Sequence, residues 1–180
     1  GLRSIDQFVP RAGGTYLARR NCDLVPGQTP TPSRLSPRLR HRLHTEHEVL
    51  QAVLAKHSKA GTVAFVQEFF WRGHFKGWLD QHPTAWDRYR AALAHYVQSP
   101  ASGLHDACNG TSSIVRFDHW SQQLRNTGYL HNHARMWFAS TWILTLRLPW
   151  MLGAQFFPDH LVDGDRASNT LSWRWIAGLQ

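Results

Sequence analysis

The last eighteen residues of the chain bring together two carboxylates, Asp163 and Asp165, one amide, Asn169, and two indoles, Trp173 and Trp175. Carboxylates in a turn pair with cations or accept hydrogen bonds, and here the turn Asp163-Gly164-Asp165 runs straight into an aromatic, helix-like segment. Residues two apart on a helix do not share a face. One of the two indoles therefore points away from any single core, and a planar cofactor or a planar base is a partner that suits it.

Two further groups have spacing that implies chemistry. Phe65, Glu68 and Arg72 follow i, i+3, i+7, with Trp71 three residues beyond Glu68, so one helix side carries a carboxylate, a guanidinium and an aromatic plate. Spacing alone predicts an intrahelical Glu68–Arg72 ion pair worth about 0.2–0.5 kcal/mol on a solvated face. The apolar neighbours Val66, Phe69, Phe70, Trp71 and Phe75 argue instead for a pocket edge, where a carboxyl is held partly protonated. In the segment 127–136, His131, Asn132 and Arg135 open an otherwise apolar helix. His131 and His133 lie two apart without a third ligand at useful spacing, so no zinc site is expected. Arg135 needs a counter-charge in such surroundings. Asp163 or Asp165 is the available kind, and an Arg135–Asp163 bridge would tie this helix to the closing segment. The run Ser33-Arg34-Leu35-Ser36-Pro37 offers two hydroxyls and backbone N–H groups before a helix start, a turn able to hold a phosphate. Neither GxGxxG nor a Walker loop occurs, which disfavours Rossmann-type and P-loop sites.

The elements that must position these side chains are helices. Pro26, Gly27, Pro30, Pro32 and Pro37 mark residues 23–37 as a loop. Beyond it, Thr45 with Glu48 predicts a capping box, Thr84 a cap before Trp86, and apolar residues recur at helical spacing over 62–79, 113–126 and 130–147. No sustained period-two run is present, so the expectation is all-α. At 180 residues the length suits one domain, 1–180, and the chain's end inside an apolar segment predicts a domain incomplete at its C terminus. The apolar stretch 136–157 is interrupted by Arg147 and Pro149 and reads as buried helix rather than membrane span. Two cysteines without metal-like spacing suit a reducing, cytoplasmic setting, nucleoid-associated in a bacterium. Net charge is +8, and Arg supplies 17 of the 20 cations, which favours forked contacts to phosphate. Together with nine Trp and nine Phe, that charge combines the two ingredients of nucleic-acid binding.

Taken in order, Ser33-Arg-Leu-Ser36, Glu68-Phe-Phe-Trp71-Arg72, Thr127-Gly-Tyr-Leu-His-Asn132-His-Ala-Arg135-Met136 and Asp163-Gly-Asp165 with Asn169, Trp173 and Trp175 resemble the helical FAD-binding domain of the photolyase and cryptochrome family. The resemblance covers nearly the whole chain, from about residue 16 onward, without the family's α/β antenna domain or its final helices. It implies that Ser33, Leu35 and Ser36 hold FAD phosphates with Tyr16 and Arg72 nearby, and that Asn132, Arg135, Asp163 and Asp165 surround the flavin. Asn169 would face the flavin N5, the choice associated with repair. Glu68 would hydrogen-bond the lesion, Trp71 and Trp175 would stack beside the flipped dimer, and Met136 would line the pocket.

Asn132 and Met136 stand where relatives that act on (6-4) lesions carry His, which points to cyclobutane pyrimidine dimers. The implied activity is that of a carbon–carbon lyase: excited reduced FAD passes an electron to the dimer, the ring splits, and the electron returns. The implied partner is UV-damaged DNA, met by a monomer without membrane or metal. Departures from the family pattern are His133, Pro32 and Phe65. Trp173 and Trp150 match the first two members of the family's photoreduction chain. Its third Trp should fall near residues 96–101, where none occurs, and Tyr96 and Trp86 are the candidates for its place. The alternatives are a cryptochrome-like photoreceptor that binds FAD without repair, and a colourless helical DNA-binding module.

Overall fold

The computed structural model describes residues 2–22, 32–98 and 101–179. Every regular element among them is helical: α1 Leu2–Phe8, a 3₁₀ turn Val9–Arg11, α2 Gly14–Arg19, α3 Ser36–Arg40, α4 Glu46–Lys56, α5 Lys59–Gln81, α6 Pro83–Gln98, α7 Leu104–Asn109, α8 Val115–Thr127, α9 Asn132–Ser140, a π turn Thr141–Thr145, α10 Trp150–His160 and α11 Arg166–Ile176. Much of the expected loop, residues 23–31, lies outside the described residues. Among the described residues no helix is long and apolar enough to cross a membrane. Contacts gather the chain into two compact units, 1–74 and 75–180.

The first unit buries Phe8, Tyr16 and Phe65 with Leu35, Leu39, Val49 and Val53 around them. The three rings meet at centroid distances of 4.8 to 6.0 Å, two of the pairs edge-on, the arrangement that ring quadrupoles favour. α4 starts where the sequence placed it. Thr45 takes an extended backbone and its hydroxyl accepts from Glu48 N at 3.2 Å, while Glu48 Oε2 accepts from Thr45 N at 2.7 Å. Those hydrogen bonds favour the charged carboxylate and hold the Glu48 carboxyl below its ordinary 4.5. A depressed carboxylate contributes stability that is complete above the unfolded value and is lost as pH falls through the folded one. Thr45→Ala is expected to cost about 1 kcal/mol. In urea titrations on either side of pH 4, Glu48→Gln should flatten the acid-side decline of stability, and an unchanged pH slope would contradict the capping role.

The second unit is built on α9, α10 and α11. Phe138, Trp142, Phe156, Phe157 and Trp173 form its buried centre, with Phe117 and Leu124 from α8 and Tyr89 from α6 closing it. Two expectations about boundaries change. α6 opens at Pro83, so Thr84 lies inside the helix rather than capping it, because proline suits a first turn whose N–H groups have no intrahelical partner. The helix expected over 130–147 ends as α9, widens into the π turn and stops at Leu146. Arg147 has φ +53, and Pro149, which disfavours a helical residue before it, precedes α10. Trp142 Nε1 donates to Pro149 O at 3.0 Å, and Leu148 N donates to Trp142 O at 3.0 Å, so the break stays hydrogen-bonded.

Candidate functional site

In the second unit the acids and the amide are brought together by a short chain of backbone contacts. α8 ends at Gly128, whose φ of +65 suits glycine, and a Cβ there would overlap Val162 and lie 3.3 Å from His160 O. Gly128 O accepts from Val162 N at 3.0 Å, which fastens the 128–131 loop beside the 161–165 turn. α9 follows, and its Arg135 donates from Nε to Leu130 O at 2.9 Å and sets Nη1 3.9 Å from Asp163 Oδ2. The sequence left Asp163 and Asp165 open as the counter-charge, and Asp163 is the one that meets Arg135. Burial pushes the Arg135 guanidinium below its ordinary value, and Asp163 and Tyr129 oppose that shift. Asp163 Oδ1 is buried with no hydrogen-bond partner among the described residues.

Asp165 caps α11, its Oδ1 accepting from Ser168 N at 3.3 Å, and its carbonyl accepts from Asn169 Nδ2 at 2.8 Å. Asp163, Asp165 and Asn169 are all buried. Asn132 and Met136, one turn apart on α9, are exposed, and so is Trp175. The paired indoles thus separate as their spacing requires. Trp173 enters the core against Phe138, Trp142 and Phe157 at centroid distances of 6.2, 5.8 and 5.1 Å, while Trp175 stays half open to solvent. Trp150 is partly buried at the start of α10.

In the first unit Tyr16 and Leu35 belong to the core, and Ser33 and Ser36 are partly exposed. Ser33 Oγ accepts from Leu35 N at 3.3 Å, and Arg34 takes a left-handed φ of +52 between them. Ser33 lines a cleft of about 410 Å³ with Arg11, Arg34 and Arg38, a lining that suits phosphate. Glu68 and Arg72 do not pair with each other. Arg20, just past α2, sets Nη1 2.6 Å from Glu68 Oε1, and Arg72 Nε donates to Glu46 on α4 at 3.3 Å. The expected intrahelical pair is replaced because partners on neighbouring helices reach both groups. Glu68 is exposed, since α5 buries Thr62 and Phe65 on one side and leaves Phe70 and Trp71 open. Arg20 and Glu46 were missed, because no spacing rule links residues 26 to 48 positions apart. Among the described residues no three His, Cys, Asp or Glu side chains gather as a metal site.

Comparison with known proteins agrees with this arrangement of helices. A deoxyribodipyrimidine photo-lyase of Streptomyces griseus is 36% identical over 147 residues, covering 81% of this chain and 32% of that protein. The crystal structure of a class III photolyase from Agrobacterium tumefaciens superposes with a TM-score of 0.79 at 27% identity, over 98% of this chain and 37% of that one. An archaeal photolyase from Sulfolobus tokodaii, solved with two FAD molecules, gives 0.69 at 27% identity, over 92% of this chain and 39% of that one. The chain spans about a third of the length of these relatives. Residues 65–180 match the family described as the FAD binding domain of DNA photolyase, and the chain belongs to that FAD-dependent family.

Proposed function

We propose that this chain is the catalytic domain of a light-driven DNA repair enzyme that splits cyclobutane pyrimidine dimers. The observation that carries the reading is the Arg135–Asp163 pair, whose buried Asp163 keeps a second oxygen without a hydrogen-bond partner among the described residues, in the same unit as the buried Asn169 and the exposed Asn132, Met136 and Trp175. A buried carboxylate oxygen without a donor is costly, and an N–H or hydroxyl of a bound group would relieve it. FAD fits that requirement. Asn132, Arg135, Asp163, Asp165 and Asn169 would hold its ring and ribityl chain, and Tyr16, Ser33, Leu35, Ser36 and Arg72 its phosphates. When bound, FAD supplies the electron that light delivers to the lesion.

The chain's own residues would do the rest. Arg135 offsets negative charge close to the ring, and its ion pair keeps Asp163 aimed as an acceptor. Asn169 presents an amide whose N–H is already committed to the Asp165 carbonyl, which limits how the side chain turns. Trp71 and Trp175 offer exposed planes for stacking on an extruded base, and a damaged, poorly stacked base costs least to extrude. Glu68 would accept or donate a hydrogen bond at the dimer. With FAD bound and reduced, the chain should remove dimers from irradiated oligothymidylate under blue light and leave them in the dark. Equal dimer content in both would sink the repair reading.

The rival reading, an FAD photoreceptor without repair, draws on the Arg20–Glu68 pair, which engages the carboxylate that repair assigns to the lesion. A third, flavin-free DNA-binding module predicts a protein without flavin absorption, so the visible spectrum of the purified chain separates it from both. Asn169→Ser tests the flavin-facing assignment. Serine keeps a hydroxyl able to reach the carbonyl four residues back, so stability should fall by only about 1 kcal/mol. The air reoxidation rate of the reduced flavin should change several-fold, and an unaltered rate would remove Asn169 from the ring's edge.

A further inference from the structure

α11 buries Asn169, Thr170 and Trp173. Asn169 and Trp173 lie four apart and share a face, whereas Thr170 stands about 100° round the helix from Asn169. Trp173 seats the helix in a notch, since a Cβ at Gly153 of α10 would overlap its ring. That contact is apolar, and apolar contact carries no direction. It brings α11 close to α10 and leaves the rotation of α11 about its own axis to directional contacts. A chain of polar groups on α10 and α6 supplies them. Asp159 Oδ1 accepts from Gln155 Nε2 at 2.6 Å, which leaves the Gln155 oxygen free to accept from α6. The Tyr89 hydroxyl donates to that oxygen at 3.3 Å, and the Tyr89 ring lies between Trp86 and Trp150 at centroid distances of 5.2 and 5.7 Å.

Tyr89 is 5% exposed and Thr170 4%. Burial pushes the Tyr89 hydroxyl up to about 12, and the Thr170 hydroxyl beside it opposes that rise, although Thr170 Oγ1 completes no hydrogen bond of ordinary geometry among the described residues. A Phe and a Val of the same shapes would fill this space with no hydroxyl to desolvate, and replacing both members of a buried polar pair in that way is nearly neutral for stability. What the two hydroxyls add is direction. We infer that Tyr89 and Thr170 are positioning residues for Asn169: the Asp159–Gln155–Tyr89 chain meets Thr170 and fixes the rotation of α11, and with it the angle at which the Asn169 amide is presented. Asn169 Nδ2 donates to Asp165 O, four residues back at the start of the same helix, so the amide is fastened to α11 and turns when α11 turns. The inference rests on the flavin site proposed above. Neither Tyr89 nor Thr170 is among the residues assigned there to hold the flavin, and both act through Asn169.

The test is dark air reoxidation of the reduced, FAD-loaded chain, with Tm read on the same samples. Tyr89→Phe and Thr170→Val, singly and together, should change the reoxidation rate several-fold, while the double variant keeps the native Tm or exceeds it. Thr170→Ser, which retains the hydroxyl, should retain the native rate. In an Asn169→Ser background, Tyr89→Phe and Thr170→Val should have no further effect on the rate, because the amide through which they act is gone. A native rate in the double variant, whatever its Tm, would show a purely structural pair and overturn the inference. Effects that persist in full without Asn169 would overturn the route through that amide while leaving the flavin site standing. A chain that takes up no flavin would overturn the inference together with the proposed function.

Discussion

Gly153→Ala is expected to destabilise the protein by about 2–3 kcal/mol and to lower Tm by roughly 4–10 °C. The position lies inside α10, where exchanging glycine for alanine ordinarily gains up to about 1 kcal/mol from helix propensity. Here the added methyl would overlap Trp173 Cη2 and Cζ3 and sit 2.9 Å from Cζ2. The ring is 1% exposed and walled by Phe138, Trp142 and Phe157, so it has nowhere to move without pushing other core rings off their rotamers. Overpacking therefore outweighs propensity. Thermal unfolding followed by circular dichroism checks the sign, and an unchanged or raised Tm would mean that the core yields at Trp173.

Asp163→Asn is expected to cost about 3 kcal/mol and to weaken FAD retention at least tenfold. The substitution keeps the shape and removes the charge, leaving the Arg135 guanidinium without its counter-ion. Removing one member of a buried pair costs about 3–5 kcal/mol because the other stays desolvated and uncompensated. The lower end applies, since the Arg135 side chain retains 21% exposure and keeps its bond to Leu130 O. Pairing Asp163→Asn with Arg135→Met should recover most of the lost stability, because the stranded charge is gone, but none of the FAD retention. Urea unfolding of the single and double variants gives the coupling energy directly. Additive losses would show that the 3.9 Å pair contributes nothing and that Asp163 acts alone.

The closing segment was legible because its rules are local. A charged turn running into a helix, with two indoles set at different helix angles, follows from backbone geometry, and Trp173 and Trp175 obey it, while the capping of α11 by Asp165 emerged only from the structure. The Thr45–Glu48 capping box was legible for the same reason. The sequence required a counter-charge for Arg135 without choosing between Asp163 and Asp165. That choice depends on Gly128 and Val162, 34 positions apart, joining their backbones. The partners of Glu68 and Arg72 were not legible, because spacing along one helix offers only an intrahelical pair and carries no information about Arg20 or Glu46 elsewhere in the unit.

By itself the sequence determined the helical class, the Thr45–Glu48 capping box, the separation of the paired indoles and the family to which the chain belongs, all of which rest on residue order and on the helical repeat. Tertiary structure alone decided which indole became core, which acid met Arg135, and that Tyr89 links Trp150 to Trp86. The reason is range. Helical geometry relates residues within a few positions, whereas ion pairs and ring contacts act over a few ångströms between segments whose approach is set only when the core packs.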